Sequence, residues 1–143
     1  MRLFIDTEFN GFGGKLMSMA IVPENTAWPE FYEELEIKDQ LHPWVQINVV
    51  PHMFKVPLSY GEFQIKLSEF LLEMRYNDIT LVADWPDDLR YFMEALITGP
   101  GNRIVMPDTI NFKLDLNIEY ESLVPHNALH DARAIRQYYL NRV

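Results

Sequence analysis

The chain has 143 residues, 48% of them hydrophobic and 23% charged, enough for one domain (1–143) with a sizeable core. It contains no cysteine, which excludes disulfides, thiolate zinc sites and cysteine nucleophiles and makes a reducing, cytoplasmic setting the default expectation. The formal net charge of −9 weighs against nonspecific nucleic-acid binding, no apolar run is long enough to span a bilayer, and no secretory signal pattern is seen. An acidic nucleic-acid enzyme stays open, because clustered carboxylates that bind divalent ions invert the local field.

Residues 2–8 read as a short apolar strand that ends in Asp6 and Glu8. A turn made by Gly11, Gly13 and Gly14 leads to a second, largely buried strand over Lys15–Val22. The segment TAWPEFYEEL is a third strand, and its Pro29 predicts an edge position. LHPWVQINVVPHM holds a short helix that begins near Pro43 and stops before Pro51. The clearest helix follows: Ser59 and Glu62 form a capping box, and Phe63, Leu67, Phe70, Leu71 and Met74 fall on one stripe.

Asp78–Asp84 is a strand rich in β-branched residues. PDDLRYFMEALIT is read as a helix with Leu89, Phe92, Met93 and Leu96 inward, GPGN as a turn, and RIVMPDT as another short strand. A last helix runs from about Asn127 to Leu140 with Ala128, Ala132, Ile135 and Tyr139 on its apolar face. Strands come first and then alternate with helices, which predicts a layered α/β or α+β domain with a mixed sheet.

Three separated segments place acids at strand ends or helix starts. Residues two apart in a strand point to the same face, roughly 6–7 Å apart, so Asp6 and Glu8 face one site. Asp84 ends a strand, and Asp87 and Asp88 open a helix. Asp131 lies one turn after Asn127 on the last helix, and His126 sits just before that helix. Taken singly, each group has a plain structural reading: solvated acids at a strand end, first-turn acids favoured by the helix dipole, an Asn N-cap, an exposed loop histidine. Taken together, several carboxylates without cysteine suit hard divalent ions, Mg²⁺ or Mn²⁺. Two such ions can activate a water and stabilise the leaving oxygen of a phosphodiester. An imidazole, which ordinarily titrates near neutrality, can take the proton from that water.

The order DTE, DWPDD and HNALHDA resembles the DEDD 3′–5′ exonuclease superfamily in its histidine-containing branch, and within it small bacterial and phage 3′–5′ exoribonucleases. That branch is marked by Asp-x-Glu in the first strand, a later Asp, and His-x-x-x-x-Asp near the C-terminus. His126 and Asp131 have that last spacing. FIDTEF, HPWVQINVVPH and the DWP segment carry the narrower likeness. The resemblance implies a ribonuclease H-like α/β fold, a central mixed five-stranded sheet flanked by helices. It implies that Asp6, Glu8 and Asp131 ligate one ion, that Asp6 bridges to a second, and that His126 is the general base. The middle acid departs from the pattern, since the position before it, usually aromatic, holds Asp87. Helical register and the following LRYF favour Asp88, with Asp84 as the alternative.

The expected activity is metal-dependent hydrolysis of a polynucleotide from its 3′ end, releasing nucleoside 5′-monophosphates. Glycines of the loop FNGFGG would let Asn10 and Gly11 approach the terminal nucleotide, and Phe9 and Phe12 could stack on a base. Packing of those phenylalanines in the core is the competing reading. Single-stranded RNA is favoured as partner from the resemblance alone, and single-stranded DNA or a 3′ overhang stays open. Relatives of this type lead us to expect a homodimer, and no membrane partner is expected. The alternatives are a DNA-specific exonuclease, a non-catalytic nucleic-acid-binding module with the same fold, or a structural protein with acidic helix caps.

Overall fold

The apolar alternation of residues 2–9 builds the central strand of the sheet, β1 (Arg2–Phe9), in a computed structural model that describes residues 1–142. Leu3 and Ile5 point to one face and Phe4 to the other, so both faces of this strand are buried. Strand β2 (Leu16–Pro23) is buried along its whole length, and β3 (Phe31–Glu34) lies at the sheet edge, as Pro29 predicts. The five-stranded order is β3-β2-β1-β4-β7, with β4 at Thr80–Ala83 and β7 at Asn111–Leu114. The pairs β1–β2 and β2–β3 are antiparallel, while β1–β4 and β4–β7 are parallel. The fold is therefore α/β with a mixed five-stranded sheet and four α-helices.

Helix α1 (Pro43–Asn48) begins at its proline and is followed by a single 3-10 turn, Val50–His52. Helix α2 (Tyr60–Glu73) carries the Ser59–Glu62 capping box, and Phe63, Leu67, Phe70, Leu71 and Met74 are all buried. With α3 (Pro86–Ala95) it covers the Leu3/Ile5 face. Helix α4 (Ala128–Leu140) covers the opposite face, where Ala128, Ala132, Ile135 and Tyr139 meet Phe4, Ala20, Val22 and Val82. The small Ala128 and Ala132 on this stripe let the start of α4 lie close to the sheet.

Two expectations are corrected here. Helix α3 buries Asp88, Tyr91, Phe92 and Ala95, whereas Met93 is 43% exposed and Leu89 and Leu96 pack only at the margin of the core. Polar anchors set this rotation: Asp88 is bonded to Thr7, and the Tyr91 hydroxyl donates to the Gly14 carbonyl at 2.5 Å. The helix also ends earlier than expected, and Ile97–Gly99 (β5) turns back on Asn102–Arg103 (β6) through the GPGN turn. The second correction concerns RIVMPDT. Only Arg103 of it is in a strand, and Ile104 is buried against the α2–α3 core. The fifth strand of the main sheet is β7, whose four residues are all exposed and show no buried face to read.

Candidate functional site

Sheet register brings the acids together. In the parallel pair, Phe4 lies opposite Val82, so two residues further on Asp6 and Asp84 emerge side by side at the carboxyl ends of β1 and β4. Crevices at the carboxyl ends of parallel strands are where open α/β sheets bind ligands. Asp6 and Glu8 share the Phe4 face, toward α4, and there Asp6, Glu8 and Asp131 offer oxygens all within 4.8 Å of one another. Asp6 also belongs to a second group with Asp84 and Asp88, again within 4.8 Å. Both candidates for the middle acid are thus present, and Asp6 is common to both groups.

Asp88 is held from the opposite side of the strand. Its Oδ1 accepts from the Thr7 backbone N–H at 3.1 Å and from the Thr7 hydroxyl at 2.6 Å. Asp87 turns away, accepting from the Trp85 indole at 3.0 Å and pairing with Arg90 at 3.0 Å. On α4, Asn127 is the N-cap, its side chain accepting from the His130 N–H at 3.1 Å. His126, just before it, is exposed and has φ +66°, a left-handed backbone conformation uncommon for a residue other than glycine. The Trp44 indole meets the His126 imidazole edge to face, with centroids 5.0 Å apart.

These groups surround a cleft of about 560 Å³. Asp6, Glu8, Asp84, Asp88 and Asp131 line it with His126, Tyr120, His42, Thr7 and an aromatic rim. None of the lining residues is Lys or Arg, so no lysine or arginine in the cleft neutralises the five converging carboxylates. The consequence is visible in their protonation. Burial first, and then repulsion from Asp88, Glu8, Asp131 and Asp84, holds Asp6 well above the ordinary carboxylate range. Burial, with Asp131 and Asp88 next, pushes Glu8 up to about 8. Burial likewise pushes Asp88 up to about 8 against the opposing hydrogen bonds from Thr7. Asp84 and Asp131 are raised too, mainly by burial.

The residues fit divalent cations. Asp6 Oδ2 and Asp131 Oδ1 are buried without any hydrogen-bond partner, an expensive arrangement unless a positive charge sits against them. All the donors are carboxylate oxygens, the ligands hard ions such as Mg²⁺ and Mn²⁺ prefer. The shared Asp6 gives two adjacent positions where such ions could be held.

Of the loop residues, Gly11 and Phe12 line the cleft, and Phe12 is 95% exposed. Phe9 also reaches it, but its ring packs on Tyr91 at 5.0 Å and against the core. Asn10 is not among the lining residues. Its side chain donates to the Gln40 carbonyl and accepts from the His42 N–H at 2.8 Å, tying the loop to the segment before α1. The glycines are required here: Gly11 has φ +74°, and a Cβ on Gly14 would stand 2.0 Å from the Asn10 carbonyl oxygen.

Sequence reasoning missed several contributors. Trp44 and Trp85, 49% and 57% exposed, line the cleft rather than a core. Tyr120 comes from the irregular segment before α4, with its phenol raised by burial and by Asp6, Asp84, Asp131 and Asp88 nearby; no sequence signal marks it. Thr7 was legible in principle, since it stands between the two acids of DTE on the face that α3 covers.

The fold and site define an α/β protein with a carboxylate-lined cleft at the strand ends. No family model matches the chain, and no curated protein matches it either. Among the described residues, no helix is long and apolar enough to cross a membrane.

Proposed function

We propose that this chain is a metal-dependent 3′–5′ exonuclease with a ribonuclease H-like fold, related to the histidine-containing DEDD enzymes, that trims single-stranded RNA to nucleoside 5′-monophosphates. The observation that carries this reading is the convergence of Asp6, Glu8, Asp84, Asp88 and Asp131, without a lysine or arginine, in one cleft that His126 also lines. Asp6, Glu8 and Asp131 would hold one Mg²⁺ or Mn²⁺, and Asp6 with Asp88 and Asp84 a second. When bound, the ions supply the positive charge that activates water and stabilises a phosphodiester's leaving oxygen.

The chain's own groups divide the remaining work. Thr7 holds Asp88 through two hydrogen bonds, so that carboxylate keeps its place whether or not it is charged. His126 takes the proton of the attacking water on its imidazole, and Trp44 limits the ring's swing. Phe12, Trp44 and Trp85 offer exposed aromatic faces on which unpaired bases stack irrespective of sequence. Within a duplex the bases are stacked on one another and paired, whereas an unpaired strand can lay successive bases on these rings, which favours a single strand as substrate.

The test is a time course on 5′-labelled single-stranded RNA and DNA of matched sequence with Mg²⁺, Mn²⁺ or chelator. Ladders shortening from the 3′ end, with metal only, are expected, stronger on RNA. Shortening of DNA alone would move the assignment to a DNA exonuclease. Intact polymers under every condition would refute the enzyme.

A further inference from the structure

Outside the cleft the described chain buries one more carboxylate, Glu34, which is 1% exposed. Its partners are donors rather than cations. Oε2 accepts from the Phe54 N–H at 2.8 Å and from the Tyr32 hydroxyl, and Oε1 accepts from the Lys55 N–H at 3.0 Å. Glu34 thereby clamps the backbone that follows the 3-10 turn. That turn ends at His52, whose carbonyl accepts from Asn127 Nδ2 at 2.9 Å. The same Nδ2 lies 3.4 Å from the Tyr32 hydroxyl. On its other side Asn127 caps α4 through Oδ1. A continuous, largely buried polar chain therefore runs from the edge strand β3 to the N-cap of the helix that carries Asp131.

Asn127 is also the neighbour of His126, the one residue other than glycine with a positive φ among those described. A strained backbone angle persists only where its surroundings over-determine it. The three bonds of the buried Asn127 side chain do that on one side of His126, and the contact with Trp44 does it on the other. A buried carboxylate is costly to keep unless its lone pairs are matched. Here the matched carboxylate's structural output is the placement of residues 52–55 and the start of α4.

We infer that Glu34, Tyr32 and Asn127 are positioning residues, a buried relay that sets the placement of His126 and Asp131 at the cleft. Its consequence for rate rests on the nuclease reading above, whereas its consequence for geometry does not. Two variants test it: Glu34→Gln, which sets an N–H₂ group against a backbone donor and so breaks the clamp, and Asn127→Ser, which keeps a capping oxygen and loses both Nδ2 bonds.

The measurements are the imidazole NMR signals of His126, assigned against a His126→Gln protein, and kcat and KM on single-stranded RNA. Both variants are expected to shift the His126 signals and lower kcat by on the order of 10²-fold at nearly unchanged KM, the signature of misplacement rather than lost binding. If Glu34→Gln fails to fold, Tyr32→Phe takes its place, since it keeps the ring stacked on Phe54 at 5.1 Å and removes only the hydroxyl. Unmoved His126 signals in the folded variants would overturn the relay whatever the activity. A wild-type chain inactive on RNA and DNA would instead remove the nuclease reading and leave the NMR test of the relay standing.

Discussion

Replacing Asp88 by Asn should stabilise the metal-free protein at alkaline pH and do nothing for it in acid. Asp88 ionises near pH 3.8 when unperturbed but is pushed up to about 8 in the fold, first by burial. A carboxyl raised in the folded state keeps its proton there after the unfolded chain has lost it. Below pH 3.8 both states are protonated and the group costs nothing. Between 3.8 and about 8 the folded state binds more protons, so stability falls as pH rises, and above about 8 the full penalty is present. At about 1.4 kcal/mol per pH unit, that interval sets a ceiling of roughly 5–6 kcal/mol.

The acids of the cluster share protons, so we expect roughly 2–5 kcal/mol from this one substitution at pH 8.5. Asn keeps the oxygen that accepts from Thr7, so the packing of α3 is retained. The assay is urea unfolding in chelator at pH 5 and pH 8.5. Asp88→Asn should exceed wild type at the higher pH, and the gap should close toward the lower one. With Mn²⁺ at a hundred times its Kd wild type gains about 2.7 kcal/mol, so the variant's lead at pH 8.5 should narrow. Wild-type stability that rose from pH 5 to 8.5 without metal, or a variant no more stable than wild type at pH 8.5, would refute the reasoning.

Asp131→Asn should abolish turnover while far-UV circular dichroism stays that of wild type, and near-full rate in that protein would count against the metal site. His126→Ala should lower kcat by on the order of 10²–10⁴-fold, the range for a lost general base, with calorimetric Mn²⁺ affinity unchanged. Trp85→Ala should weaken binding of single-stranded RNA by about 1–3 kcal/mol in chelator, read by fluorescence anisotropy of a labelled oligonucleotide, and leave thermal stability nearly unaltered because the indole is exposed. Phe63→Ala should cost about 3–5 kcal/mol in chemical denaturation, since that ring is fully buried against Phe31 and the β1 face.

Much of this protein was legible in its residues alone. The capping box and stripe of α2, the apolar face of α4, the edge strand announced by Pro29 and the shared face of Asp6 and Glu8 follow from local stereochemistry and periodicity. Each is decided within a few residues, where φ/ψ preference and side-chain direction repeat regularly. The rotation of α3 and the exposed strand β7 were not legible. A hydrogen bond from Thr7, 81 positions away, outweighs the apolar stripe that would have turned Met93 inward, and a strand exposed on both faces shows no alternation.

The cleft itself belongs to this second kind of information. That Asp84 and Asp88 both stand beside Asp6, that the five acids meet no lysine or arginine, and that Trp44 lies against His126 depend on register between strands and on packing between layers. These are long-range contacts whose partners the chain brings together only on folding. Composition and spacing named the acids; tertiary structure alone gathered them into two sets of three that share Asp6, each with oxygens within 4.8 Å of one another, where their charges must be balanced by cations or protons.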